Sequence, residues 1–546
     1  EQRIGIRTIQ VSSKTGLLLN GQPRTMKGGC IHHDLGILGA ADHAAAERRR
    51  IRLMKESGFD AIRAAHNPFG PAFLDACDEL GMLVVEEAFD EWVMGRTSFG
   101  LHVTFEQCWE KDLEDMITRD YNHPCIVMWS TGNEVEERDG TADGFAWAKR
   151  LADKVRSLDA SRPVSATACA LFSEYGNRPA GGTTGNQALN MAYDTFAEGR
   201  DIWGPGTAPY FAPLDVAGYN YKEQYYEADH KDFPQIPFLG SENGHSYEAW
   251  DAVKSNDYIS GQFLWTGIDY LGEAHGWPVH GSGAGILDCA GFEKARYYRR
   301  KSLWCEEPQL YLATRPWSEE SAEWIPCREN WNYKAGEKVI VMCYSNLPET
   351  AVFINGKEDG RQIGYNDDGA YRFEVFWEAG ILEASGYDEN GNIIEQERLL
   401  TTQNAAGIKA EVYQPEEIPF SETQENGYLY QVALTLVDQN GQKVVWDDRK
   451  LRVAVSGAGM LAGIENGDLS DVTPYAENMR KTKDGRLMIY VRRIKKGKIR
   501  VEISETDSIA VISTITEKNR ITGKSGIAEK DSTEEKGGMH LEVEMD

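Results

Sequence analysis

Between Leu17 and Trp304 the chain alternates short apolar, β-rich runs with amphipathic stretches of helical spacing. No other feature restricts the fold as much. Parallel strands need crossovers long enough to hold a helix, so this alternation predicts repeated βα units around a parallel sheet. The runs are Thr25 to Ile31, Phe59 to Ala65, Met82 to Ala88, Cys125 to Ser130, Pro163 to Ala168, Asp215 to Asn220, Ile236 to Ser241 and Ser260 to Thr266. Helical stretches such as Asp42 to Ser57, Pro71 to Leu80, Phe105 to Tyr121 and Gly144 to Leu158 lie between them. Eight strands predict a (β/α)8 TIM barrel over residues 17–309, with its chemistry at the ends of the strands.

After Trp304 the pattern changes to Val-, Ile- and Tyr-rich alternation broken by turn signals. "YDENGNII" (Tyr387 to Ile394) and "VDQNGQKV" (Val437 to Val444) each carry an Asn-Gly turn between strand-like flanks. Two β-sandwich modules of immunoglobulin-like kind are expected at 310–404 and 405–516, with a polar Lys/Glu-rich tail over 517–546. Residues 1–16 read as the remnant of a preceding β-sandwich. A length of 546 residues accommodates this mixed α/β and all-β, multidomain plan. The 58 basic against 86 acidic residues leave a net charge of −28, which repels nucleic acid and anionic membrane surfaces and favours a neutral or weakly charged substrate. Nine cysteines without a C-x-x-C pair, no 18-residue apolar stretch and no basic-then-apolar leader point to the cytoplasm.

Polar residues that follow barrel strands converge on one open face. Here they are His32, His33 and Asp34, then Arg63, His66 and Asn67, then Glu86, Glu87, Asp90 and Glu91. Asn133 and Glu134, Asn220 and Tyr221, Glu242 and Asn243, and Trp265 complete the set. Glu134 and Glu242 fall on opposite sides of the mouth, the arrangement that acid/base or nucleophilic glycoside cleavage needs. One must be protonated and the other ionised. Glu134 follows the apolar "IVMWS", whose burial would raise a carboxyl pKa, while Tyr and Asn donors near Glu242 would hold an anion. Trp129, Trp265, Trp277 and Tyr221 offer faces on which a sugar can stack.

Plainer roles compete with these. A Glu after a strand is commonly a solvated or ion-paired loop residue, and Arg63 equally suits an ion pair in the barrel core. Glu86 to Glu91 fits a loop surface, and Trp129 fits packing beneath the site better than stacking on sugar. His32-His33-Asp34 has no further ligand at helical spacing and there is no H-E-x-x-H, so no metal or cofactor is expected.

Seven ordered motifs resemble the family 2 glycoside hydrolases of the β-galactosidase and β-glucuronidase type. They are "LLLNGQPRTMKGGCIHHDLGILGAA" (Leu17 to Ala41), "LMKESGFDAIRAAHNP" (Leu53 to Pro68), "DELGMLVVEEAFDEW" (Asp78 to Trp92), "RDYNHPCIVMWSTGNE" (Arg119 to Glu134), "PFLGSENG" (Pro237 to Gly244) and "SGQFLWTGIDYLGE" (Ser260 to Glu273), preceded by "GIRTIQV" (Gly5 to Val11). The resemblance implies an exo-acting retaining β-glycosidase, with β-galactosidase the best reading. β-Glucuronidase, another β-glycosidase or a non-catalytic carbohydrate-binding protein are the alternatives. It assigns Glu134 as general acid/base, Glu242 as nucleophile and Asn133 as the contact to the sugar 2-hydroxyl. Tyr221 becomes the hydrogen-bond donor to the nucleophile, although Tyr219 also flanks Asn220, and Asp34, Arg63, His66 and Trp265 become donor-site residues. The Asn-x-Lys element of the glucuronidases is not evident near "GFEKARYYRRKSLW" (Gly291 to Trp304). The family's amino-terminal jelly-roll and most of its first immunoglobulin-like domain have no counterpart here, so the expected partner is a second chain that carries them or another copy in a homo-oligomer.

Overall fold

The computed structural model describes residues 4–169, 207–319, 326–366, 368–413, 428–505, 514–516 and 539–545. They form two compact units, one of Glu1–His33 with Met54–Gly285 and one of Asp34–Leu53 with Ile286–Asp546. Among the described residues no helix is long and apolar enough to cross a membrane.

The first unit opens with a small antiparallel sheet of β1 (Ile9–Ser12), β2 (Gly16–Leu19) and β3 (Gln22–Arg24). Next come β4 (Met26–His32), β5 (Ala61–Ala65), β6 (Leu83–Glu87), β7 (Ile126–Ser130), β8 (Val164–Ala168), β9 (Val216–Asn220), β10 (Phe238–Asn243) and β11 (Ile259–Leu264). These eight are parallel neighbours in chain order, and β11 pairs with β4 to close the barrel. Each of the eight apolar runs in the sequence supplies one strand. The helices Pro71–Leu80, Phe105–Asp120 and Gly144–Leu158 fall where amphipathic spacing puts them.

Leu17 of β2 shares an apolar cluster with Met26, Val127 and Phe263, and Ile9 and Val11 of β1 pack against it. Within the stretch read as a sandwich remnant, Ile9–Ser12 pairs antiparallel with Gly16–Leu19 of the same chain. Alternation along β1 turns Ile9 and Val11 to one side, where they are partly buried against the barrel's apolar cluster.

In the second unit, a three-stranded sheet (Leu310–Pro316, Lys338–Ser345, Tyr371–Phe376) faces a four-stranded sheet across a core of Leu312, Val339, Val341, Val352, Leu382 and Ala384. A second sandwich joins four- and five-stranded sheets around Val432, Leu434, Val453, Val501, Ile503 and Val543. Both Asn-Gly turns are present. Asp388 accepts the N–H groups of Asn390 and Asn392, and Asp438 those of Asn440 and Gln442, while Gly391 and Gly441 take positive φ. Two boundaries move. Helix Ala295–Trp304, expected within the barrel domain, lies in the second unit, whose face formed by Ile340, Met342 and Tyr344 buries Ala295 and Tyr298. The tail expected over 517–546 is too long, because His540–Met545 pairs antiparallel with Ile499–Glu505 and puts Leu541, Val543 and Met545 into the sandwich core.

Close packing inside the barrel predicts a specific coupling. A Cβ on Gly28 would stand 2.4 Å from the ring of Phe263, which is fully buried. Gly28→Ala should lower the unfolding free energy by about 1–3 kcal/mol through overpacking. Phe263→Leu should cost clearly less in that background than alone, because the smaller side chain relieves the clash. Urea unfolding of the four-protein cycle measures this, and strict additivity would contradict it.

Candidate active site

The site begins with a charge that cannot reach water. Arg63, on β5 and wholly buried, donates from Nη2 to Glu87 Oε1 (2.9 Å) and to Asn133 Oδ1 (2.7 Å). Its Nη1 donates to the Ser241 carbonyl (3.0 Å) and to Glu242 Oε2 (3.1 Å). One guanidinium thus ties β5, β6, β10 and the segment after β7 together. Burial works against its charge, but Glu87, Cys30 and Glu242 outweigh that and raise its pKa above the usual value. Glu87 is pushed upward by burial, yet Arg63, His66 and Ser130 hold it below the ordinary carboxylate range. The acidic stretch expected to be loop surface is instead interior, with Glu86, Glu87 and Glu91 all buried.

Local backbone irregularity aims the two candidate carboxylates. Between β9 and β10 the register runs Leu239 opposite Gly218 and then Glu242 opposite Asn220, so β10 carries an extra residue. Such a bulge re-aims side chains next to a strand end. Glu134, four residues beyond β7, takes φ 45°, and its N–H donates to the Thr167 carbonyl of β8 at 3.1 Å. The result is a shared donor: Asn220 Nδ2 gives hydrogen bonds to Glu134 Oε1 (2.8 Å) and Glu242 Oε2 (3.1 Å). Asn220 is itself oriented by Ser241 Oγ, which donates to its Oδ1 at 2.7 Å.

Surroundings differ around the two acids. Glu242 receives Arg63 and the Tyr221 hydroxyl in addition to Asn220. Its pKa is nevertheless raised to about 7, first by burial and then by the charge of Glu134, against the pull of Arg63, His66 and Tyr221. Donors near Glu242 were expected to hold it as an anion, yet burial and the neighbouring carboxylate outweigh them. Of the two acids, Glu242 has the richer set of donors, from Arg63, Tyr221 and Asn220.

Among the other expected residues, His66 Nδ1 lies 2.7 Å from Glu87 Oε1, and its ring stacks on Trp265 at 5.4 Å. His66 is raised above the usual imidazole value because the bond to Glu87, with Asp90 close by, outweighs burial. His32 and Tyr270 close this aromatic wall around Trp265. Asn133 donates from Nδ2 to Asp90 Oδ1 at 2.9 Å. Tyr221, not Tyr219, meets Glu242, since the Tyr219 hydroxyl donates to Asp229 at 3.1 Å. Asp34 belongs to the second unit, where its carboxylate accepts the Gly36 N–H at 2.6 Å. Trp129 is away from solvent and donates to Asp159 at 2.9 Å, so it packs rather than stacks on sugar. Trp277, 78% exposed, connects the strands Tyr270–Gly276 and Val279–Ser282. Asn220 and Glu87 were visible only as polar residues at strand ends, with nothing in sequence to show what they hold. Metal-ligating atoms of Asp78, His123 and Cys125 lie within 4.8 Å of one another. There Asp78 already binds His123 Nδ1 (2.7 Å) and the Cys125 N–H (2.9 Å), and Arg7 stands close, so the group fixes the approach to β7 rather than inviting a cation.

A closed parallel barrel with two carboxylates on one amide donor at the carboxyl ends of its strands defines the class, a (β/α)8 barrel. Comparison with known proteins agrees. Residues 9–177 match the family 2 glycosyl hydrolase TIM barrel domain, residues 422–509 match the family 2 C-terminal domain 5, and residues 336–395 match a domain of unknown function. Over these stretches the chain is similar to the family 2 glycosyl hydrolases. It is 29% identical to a β-galactosidase of Bacteroides ovatus over 90% of this chain and 61% of that protein. With a putative β-glucuronidase of Formosa agariphila it shares 28% identity over 86% of this chain and 46% of that one. A crystal structure of a family 2 member from Bacteroides cellulosilyticus superimposes with a TM-score of 0.79 at 31% identity, covering 92% of this chain and 64% of that one. The chain therefore spans less than two thirds of the length of these relatives.

Arg63→Met leaves Glu87 buried without its main partner and should cost about 3–5 kcal/mol of stability. Arg63→Met with Glu87→Met should recover most of that loss, as apolar replacement of a whole buried pair does. Chemical denaturation decides, and a double variant no more stable than the single one would be the contrary result.

Proposed function

We propose that the chain is the catalytic portion of an exo-acting retaining β-glycosidase, with β-galactosidase as the leading activity and β-glucuronidase as the alternative. One observation carries this reading. Glu134 Oε1 and Glu242 Oε2 accept from the same nitrogen at 2.8 and 3.1 Å. They stand no farther apart than two hydrogen bonds that meet at one atom. Retaining pairs are separated by roughly 5–5.5 Å, whereas inverting pairs leave roughly 6.5–9.5 Å for an intervening water. The narrow spacing supports direct attack by Glu242 on the anomeric carbon.

In this mechanism Glu134 protonates the glycosidic oxygen as the Glu242 carboxylate forms the glycosyl–enzyme bond and the aglycone leaves. Glu134 then takes a proton from water, which attacks the same carbon and releases Glu242 with net retention. Arg63 and Tyr221 keep the nucleophile oriented. Asn133 Nδ2 gives one hydrogen to Asp90 and directs its second to the sugar 2-hydroxyl. His66 and Trp265 form an apolar and hydrogen-bonding wall for the sugar ring. Carbohydrate binding without catalysis would not require two buried carboxylates pressed together, an arrangement that raises Glu242 to about 7. The relative from Bacteroides ovatus supports galactoside as substrate, and the relative from Formosa agariphila keeps glucuronide as the alternative.

A panel of nitrophenyl β-glycosides tests the substrate, with β-galactoside expected to be hydrolysed fastest. Glu242→Gly should abolish turnover, and azide should restore product of inverted configuration; rescue that gives the retained anomer would refute the nucleophile. Glu134→Ala should slow poor leaving groups far more than good ones, because only the former need the proton.

The pair's ionisation gives a further test. Activity needs one proton on the pair, so kcat/KM should fall on the alkaline side with an apparent pKa of about 7. In Glu134→Gln assayed with an activated leaving group, only ionised Glu242 is required. That alkaline fall should vanish, and activity should rise with pH to a plateau. A persistent alkaline limb in the variant would count against the pair as its source.

A further inference from the structure

We propose that Arg96 is a positioning residue for Glu134, an inference that rests on the acid/base reading given above. Arg96 lies on the segment between β6 and the helix Phe105–Asp120, and its guanidinium reaches the backbone that carries the site. Nη2 donates to the carbonyls of Asn133 (2.7 Å), Glu134 (3.2 Å) and Asp90 (2.9 Å), and Nη1 to Asp90 Oδ1 (3.3 Å). The same Asp90 oxygen accepts Asn133 Nδ2, so the clamp extends to the proposed 2-hydroxyl contact.

Glu134 needs such a clamp. Its φ of 45° lies in the left-handed region that residues with a Cβ seldom occupy. The Glu134 N–H is held from one side by the Thr167 carbonyl of β8, and its own carbonyl is held from the other by Arg96. A planar fork can grip neighbouring carbonyls at once, which a lysine ammonium on a flexible stem does less rigidly.

The arginine is itself held in place. Buried Glu91 accepts the Arg96 N–H (3.0 Å), the His102 N–H (3.0 Å) and His102 Nδ1 (3.1 Å). A Cβ on Gly95 would stand 1.9 Å from the His102 ring, and one on Gly100 would stand 1.9 Å from the Glu91 carboxylate. The segment therefore folds closely around Glu91 and presents Arg96 in one orientation. Glu242, Arg96 and Arg138 each interact electrostatically with Glu134, and Arg138 also donates to the Cys169 carbonyl and to Thr207 Oγ1.

Arg96→Met and Arg96→Lys, assayed with aryl glycosides of graded leaving-group ability, test the proposal. For poor leaving groups kcat/KM should fall on the order of 100-fold, within the range that a positioned general acid contributes, while activated substrates should fall only a few-fold. Azide should speed turnover of an activated substrate by Arg96→Met and give product of retained configuration. Adding Arg96→Met to Glu134→Ala should cost almost nothing more. A loss equal across leaving groups, or full additivity with Glu134→Ala, would overturn the role and leave Arg96 a merely structural residue. If Arg96→Met does not fold, the leaving-group series measured on Arg96→Lys decides in the same way. A wild-type enzyme that hydrolyses no β-glycoside would overturn the acid/base reading itself, which separates the two failures.

Discussion

A guanidinium with no exposed surface persists inside a barrel only if several strands bring oxygen to it, and Arg63 meets that condition from β6, β10 and the turn after β7. The arrangement works in both directions. Glu87 alone would be a buried, uncompensated anion, and Glu242 alone would be driven further toward its neutral form. Arg63 relieves both, and in doing so fixes the height of β10 against β5. The bulge that turns Glu242 toward Asn220 has meaning only relative to that anchor.

Charge balance then explains how two acids can share the barrel mouth. Asn220 cannot neutralise either carboxylate, because an amide donates hydrogen bonds but carries no charge. It bridges the two while leaving their repulsion in place, and that repulsion adds to burial in raising Glu242. The supply of donors to the two acids is unequal. Arg63 and Tyr221 reach one side of the amide bridge only.

Much of this was legible in the sequence. The eight strands announced themselves because a fully buried parallel strand is a short apolar run, and Glu134 and Glu242 stood out because polar residues at the carboxyl ends of such runs converge. What linear pattern cannot show is which of those polar groups touch. Asn220 looked like one more strand-end residue, yet it bridges the pair. Glu87 looked like surface but is the counter-ion of Arg63, since alternation along β6 turns it inward beside Val85. Arg96 gave no signal at all, because its value lies in backbone carbonyls contributed by another segment. Strand His540–Met545 was hidden by the charged residues before it, although its own Leu541 and Val543 alternate inward.

Barrel closure by β11 on β4 also sets an order in time. A ribosome delivers Arg63 and Glu87 close together, and the two can pair while the emerging chain is still an open array of strands. Glu242 follows Arg63 by 179 positions. At about 5–20 residues per second it arrives on the order of ten to forty seconds later. During that interval Glu87 is already available to the cation and Glu242 is not. The cation's first counter-ion thus precedes its second in the chain, and Glu242 is the last of the strand-end oxygens to reach Arg63.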